Sequence, residues 1–455
     1  MLQVRFHTYS NLQKTDLNFL MRTNPPDINS YFCRRHFVKL LTAGVLPWSF
    51  PVFAQFRVEV SGVGLTQMPI AVATFRGEAQ TPQKIGAIVK ADLERSGIFR
   101  AVDTSGATLD ESARPDMALW KQKGADSLVT GSVTPLADGR FDVRLRLWDV
   151  LRGQDLGGQS YAVAAADLRL SAHRISDFVY EKLTGDKGIF STRIAYVTKG
   201  GQRYTLWVAD ADGENAQSAL ASPEPIISPA WSPNGMQLAY VSFESRKPVI
   251  YAHDVASGKR RLLANFRGSN SAPAWSPDGR QIVATLSRDG GSQLYAMDSN
   301  GGEPKRLTQS SSIDTEPAFS PDGKSIYFVS DRGGAPQIYR MNSSGVNIER
   351  VTFAGNYNIS PAMSPDGKYM AYISRVGGAF KLQVMELAGG TVNQITDTTA
   401  DESPSFAPNS RLIVYATQQQ GREALMTTTL DGKIKARLAG ASGDIREPDW
   451  SPFSR

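Results

Sequence analysis

The chain has 455 residues, room for two or three domains, with 50 Lys/Arg against 44 Asp/Glu. Setting aside residues 1–54, which hold six of the basic and two of the acidic residues, leaves 44 against 42, and the basic surplus then gives no support to nucleic-acid binding. The single cysteine, Cys33, falls in the same segment, so no disulfide or thiol chemistry is left downstream, and no later run approaches the ~20 apolar residues of a membrane span.

Residues 1–54 read as a leader. Cys33-Arg34-Arg35-His36-Phe37-Val38-Lys39 has the twin-arginine pattern, a short apolar stretch follows to Phe53, and Val52-Phe53-Ala54 suits a signal peptidase. A chance Arg-Arg pair ahead of a Sec-type signal fits as well. On both readings the protein is exported and begins at Gln55. Met1 and Met21 both stand as start positions.

Residues 55–186 read as an α/β domain. Pro69–Phe75 is a strand, and Thr81 with Pro82 caps a helix whose Ile85, Ile88, Val89 and Leu93 share one face before Gly97 ends it. A strand over Phe99–Asp103 and a short helix around Met117–Lys123 follow. Ser127–Thr134, the Asp138-Gly139 turn and Phe141–Asp149 form a hairpin, with a third strand at Gln159–Ala164. A helix over Leu168–Leu183 closes the domain. No glycine-rich phosphate loop joins a strand to a helix, which argues against nucleotide binding.

Residues 187–455 repeat. PAWSPNG begins at Pro229, PAWSPDG at Pro273, PAFSPDG at Pro317, PAMSPDG at Pro361, PSFAPNS at Pro404 and PDWSPF at Pro448, at intervals of 44, 44, 44, 43 and 44 residues. Strand-like runs separated by turn residues at that period mark a β-propeller of four-stranded blades. Six copies predict six blades. The final strand has no partners after it, and Ile194–Val197 has no such strand before it. Pairing the two closes the ring and hides two open edges. The recurring slot of Trp231, Trp275, Phe319, Met363, Phe406 and Trp450 reads as packing between blades.

Catalytic signs are sparse. His173 and His253 are the only histidines after residue 54, and both read as structural or surface residues; no G-x-S-x-G elbow occurs. Asp210-Ala211-Asp212-Gly213 reads as a hairpin turn and not as a calcium loop. No cofactor is called for, and a Ca²⁺ ion in the propeller channel is left open. The competing reading is the propeller module of a peptidase-like or substrate-gating protein, whose blades share the Ser-Pro-Asp-Gly turn.

An α/β domain ahead of six such blades, the junction Glu181-Lys182-Leu183-Thr184-Gly185 with Thr192-Arg193-Ile194-Ala195-Tyr196-Val197, Phe243-Glu244-Ser245, and the closing Trp450-Ser451-Pro452 together resemble the TolB family, propeller proteins of the Tol–Pal envelope system. The resemblance covers residues 55–455 and implies a non-enzymatic periplasmic scaffold acting in outer-membrane integrity and cell division. Its implied partners are the lipoprotein Pal, the inner-membrane protein TolA and other outer-membrane proteins. By motif position the Pal-binding face would hold Ser269, Asn270, Ala272, Thr315 and Glu316. Asp401 and Glu402, at nearly the blade position of Thr315 and Glu316, would add acidity to its rim. Glu316 is expected to pair a basic residue of the partner. The segment offered to TolA would begin at Gln55, Phe56, Arg57, Val58, Glu59 and Val60, where apolar residues alternate with polar ones as in an added strand. Two features depart from the family: Ser269 stands where the best-known relatives carry His, and a twin-arginine leader is unusual.

Overall fold

The computed structural model describes residues 58–60, 67–419, 421–439 and 443–453. The expected leader and its cleavage point lie outside them, as do Gln55, Phe56 and Arg57.

The N-terminal domain is a five-stranded sheet in the order Phe99–Ala101, Met68–Val72, Ser127–Pro135, Phe141–Asp149, Gln154–Val163. The first two pairings are parallel and need crossovers, which carry helices α1 (Ile85–Arg95) and α2 (Met117–Gln122). Helix α3 (Leu168–Thr184) follows the last strand and stops at Gly185, whose φ of 78° gives the left-handed end that favours glycine. Helices α1 and α3 bury Val89, Leu93, Ile175 and Val179 against Ile70, Val129 and Val143 of the sheet. Trp120 of α2 packs with Leu128 and Trp148 in a second cluster, with Ala71 between them.

Two local expectations are corrected. Thr81 does not cap α1: Pro82 holds it extended, and its hydroxyl instead donates to the carbonyls of Glu78 and Gln83. The helix starts after Lys84, and the Glu78 carboxylate reaches across to accept the Gly86 N–H at 2.8 Å. The third hairpin strand begins at Gln154, five residues early, because it runs through an irregularity at Gly157 (φ 105°) that reads in sequence as a break.

Six blades of the expected period follow. Their first strands are Ile226–Trp231, Asn270–Trp275, Asp314–Phe319, Asn358–Met363 and Glu402–Phe406, and the sixth is the late strand Asp444–Trp450. These six touch one another in a closed circle and form the inner wall of the propeller. Asp444–Trp450 pairs antiparallel with Arg193–Gly200, Trp450 opposite Ile194, so the chain's last described strand completes its first blade. The slot residues lie where the period puts them. Trp450 packs with Ile194, Tyr196, Ala407 and Val414, from the first and last blades, and its indole N–H donates to Thr192 Oγ1 at 2.8 Å. Phe319 lies against a cluster joining Val283 and Leu294 to Ile326 and Phe328 of the next blade. The Ser-Pro-Asp-Gly turns close as the sequence implies. In one copy Asp322 accepts from Ser320 Oγ at 2.6 Å and from the Lys324 N–H at 3.1 Å, and Gly323 takes a φ of 69°.

One pairing was not foreseen. Val58–Val60 runs antiparallel to Ile434–Arg437 and extends the blade that begins at Glu402 to five strands.

Candidate functional site: a docking face around the channel

All six inner strands break register at the same place, across the proline that recurs with the period. The residue preceding that proline is left-handed in every blade: Ser228, Ala272, Glu316, Ser360, Ser403 and Glu447 have φ between 48° and 54°. A non-glycine residue pays about 1–2 kcal/mol for this conformation, and a following proline disfavours helical backbone further. Six equivalent bulges therefore mark a shape that the ring imposes. The six inner strands touch in a closed circle and every blade repeats the same strand order, so the loops leading into them lie at one end of the ring.

Two pairs of neighbouring bulges are tied to each other. Glu316 accepts the Ser360 N–H at 2.7 Å and its hydroxyl at 3.1 Å. Glu447 accepts the Ser228 N–H in the same way across the closure. Asp449 takes the Trp231 N–H at 2.7 Å and Ser405 Oγ at 2.8 Å; burial pushes its carboxyl up to about 6. Glu402 is half-buried, and its enclosed Oε1 has no hydrogen-bond partner. Burial first, then the charges of Glu447 and Glu423 against the opposing pull of Arg446, lift it to about 7.

The face expected from sequence comes together only in part. Ser269 and Thr315 are half-buried at the mouth, and Thr285 Oγ1 donates to Thr315 Oγ1 at 3.3 Å between neighbouring blades. Ala272 is buried at its bulge. Glu316 is also buried, its carboxylate engaged with the next blade, so it is a tie within the ring before it is a contact for a partner. Asn270 is wholly buried: its amide donates to the carbonyls of Pro248, Phe266 and Gly268 and its oxygen accepts the Phe266 N–H. Asp401 is buried as well, accepting the Leu382 N–H at 3.0 Å and the hydroxyls of Thr396, Thr398 and Thr417. Both brace the loops from beneath. Asn270→Ala should therefore cost about 1–3 kcal/mol by orphaning loop groups, read as a lower urea midpoint.

Glu402 and Asp401 are offset by one residue from the pair they were matched to. Ser403, not Glu402, is the left-handed equivalent of Glu316, since the interval here is 43 residues. Sequence reading missed Glu447 and Asp449, although stepping the period on from Glu316 reaches Glu447 directly.

His173 and His253 are both buried, and neither is among the residues expected to form the docking face. His253 lies against Tyr240 within a blade, where burial and Arg260 hold its pKa down. His173 sits between the N-terminal domain and the first blade. The Asp210–Gly213 stretch is the expected hairpin turn, with Gly213 at φ 86°.

Residues 180–454 match the TolB beta propeller domain and residues 56–156 the TolB amino-terminal domain. The Tol-Pal system protein TolB of Polaromonas naphthalenivorans is 86% identical over 428 residues, covering 94% of this chain and 100% of that protein. That of Dechloromonas aromatica is 63% identical over 400 residues, covering 88% and 94%. The crystal structure of TolB from Acinetobacter baumannii, 37% identical, superposes with a TM-score of 0.80 over 88% of this chain and 100% of its own. A six-bladed propeller behind a mixed α/β domain, with relatives this close along nearly its full length, places the chain in the TolB family of Tol–Pal system proteins.

Proposed function

We propose that the protein is a non-enzymatic periplasmic scaffold that docks Pal on the bulged face of the propeller and offers its N-terminal segment, from Gln55 through Val60, to TolA. Through those contacts it would serve outer-membrane integrity and constriction during cell division. The observation that carries the reading is the closed circle of six inner strands, each with a left-handed bulge at its entry, which puts six equivalent loops at one end of the ring. Within it Ser269, Thr315 and Glu402 are the partly exposed members, while Ala272 and Glu316 shape the floor. The strand character of the N-terminal segment supports its half of the proposal: Val58–Val60 already adds to a sheet edge in this chain.

The test is calorimetry with purified Pal and TolA domains. Ala272 is buried, so a bulky residue there would disturb the fold, and Thr315→Trp is the cleaner variant. It is expected to weaken Pal by about tenfold or more by blocking close approach, while the chain still melts in one cooperative transition. Deleting residues 55–66 should abolish TolA binding and leave Pal bound. Pal binding at full strength by Thr315→Trp would remove this face from the proposal.

A further inference from the structure

Six charged side chains meet where the N-terminal domain rests on the first blade. Asp92 and Arg95 come from α1, Arg169 and His173 from α3, and Asp210 and Asp212 from the end of the blade strand Arg203–Asp210 and the turn after it. His173, Asp92 and Arg95 are almost fully buried, and Asp212 nearly so. His173 Nδ1 is 2.7 Å from Asp92 Oδ2, which also accepts from Ser176 Oγ at 2.8 Å. The other nitrogen, Nε2, is enclosed and faces Asp210 Oδ2 at 3.6 Å and Asp212 Oδ2 at 3.9 Å, beyond hydrogen-bond length but within reach of an ion pair. Arg169 binds both of those carboxylates from the N-terminal side, and Arg95 reaches Asp212 at 3.9 Å.

Both ring nitrogens of His173 thus point at carboxylate oxygens. An imidazole can satisfy acceptors on both sides only by donating from both, which makes it an imidazolium. The charges then balance, three carboxylates against two guanidinium groups and one imidazolium. A buried set of this kind tolerates no uncompensated member. Asp92, His173 and Asp212 lie close enough together to offer ligand atoms to a metal ion, but the oxygens nearest Nε2 already receive Arg169, which fills the place of a cation there. We propose that protonated His173 is the central charge of a latch that holds the N-terminal domain in one orientation on the propeller, and that neutralising it frees the domain to swing about the connection at residues 185–192. That connection is pinned beside the latch. Asp177 of α3 accepts the N–H groups of Phe190 at 2.7 Å and Ser191 at 3.2 Å, and Asp186 pairs with Arg411 of the propeller.

The direction of the pH effect follows. Burial opposes the charge, but Asp92, Asp210 and Asp212 outweigh it and hold His173 at about 10, against an ordinary 6.5. Asp177 and Arg193 lie next outward, beside Asp92 and Asp210. A raised folded-state pKa gives stability that is whole below pH 6.5 and is lost as the pH climbs towards 10.

Limited proteolysis and thermal melting of the full chain test the latch. In wild type, cleavage within residues 185–192 should quicken steadily from pH 6.5 to 10 by about tenfold or more, because cleavage follows the open population. His173→Gln should cleave fast at every pH in that range and lose the slope. Asp210→Asn in the same chain removes the surplus negative charge and should recover at least half of the melting temperature that His173→Gln loses, although Asp210→Asn alone is destabilising. Strictly additive losses, a wild-type cleavage rate flat across pH 6.5–10, or a melting temperature that moves with Zn²⁺ or EDTA would each overturn the assignment.

Discussion

Removing Pro448–Arg455 is expected to unfold the propeller. The deletion takes away the part of the closing strand that pairs with Ile194 and Ala195, the Trp450 side chain between the first and last blades, and the Asp449 carboxylate that binds Trp231 and Ser405. Truncating one buried Trp costs ~3–5 kcal/mol. Orphaning the Trp231 N–H adds ~1–3 kcal/mol. The sum is comparable with the ~5–15 kcal/mol that holds a typical domain together. Thermal melting followed by circular dichroism should show loss of the cooperative transition, and Trp450→Ala alone should lower the midpoint by several degrees. A truncated chain that melts like wild type would mean that another strand closes the ring.

Asp92→Ala should be nearly as damaging, for an electrostatic reason. Asp92 is enclosed, and burial alone would raise its pKa. His173 and then Arg95 more than reverse that and hold the carboxyl below its ordinary range. Deleting it leaves two buried cations facing an empty position, and breaking a buried ion set from one side costs ~3–5 kcal/mol. Replacing it with Asn, which keeps an acceptor for Ser176 and His173, should lose less. Urea unfolding at pH 6.5, where the network is fully charged, is the measurement. A loss under 1 kcal/mol for Asp92→Ala would show that water, and not the latch, solvates His173.

The architecture was legible because a propeller writes its period into the chain. The 44-residue step located every inner strand and the inter-blade slot, and the out-of-phase ends implied the closure that Trp450 and Ile194 make. The loop face proposed for docking could be placed from sequence only to the resolution of a loop. Sequence position put Asn270 and Asp401 at the mouth, but whether a side chain there points out or under depends on which carbonyls and hydroxyls the folded loop brings near. Asn270 finds the carbonyls of Pro248, Phe266 and Gly268, and Asp401 finds three threonines. The single 43-residue interval hid a one-residue offset at Glu402. The latch was out of reach altogether. Asp92 and His173 lie in the N-terminal domain, which has no period, far in sequence from Asp212, and Asp212 had a complete explanation as a turn residue.

The closure also sets an order of events. The strand Asp444–Trp450 is synthesised after every other strand of the propeller, yet its partner edge on Arg193–Gly200 has existed since the first blade emerged. The contact between Arg193 and Ser451 spans 258 residues. Contacts of such separation form slowly, and an unpaired strand edge invites wrong partners while it waits. A chain exported unfolded must hold that edge open across the membrane and seal it on the far side, whereas one exported folded must seal it before departure. Under the proposed periplasmic location, the export route would set on which side of the membrane that edge is sealed.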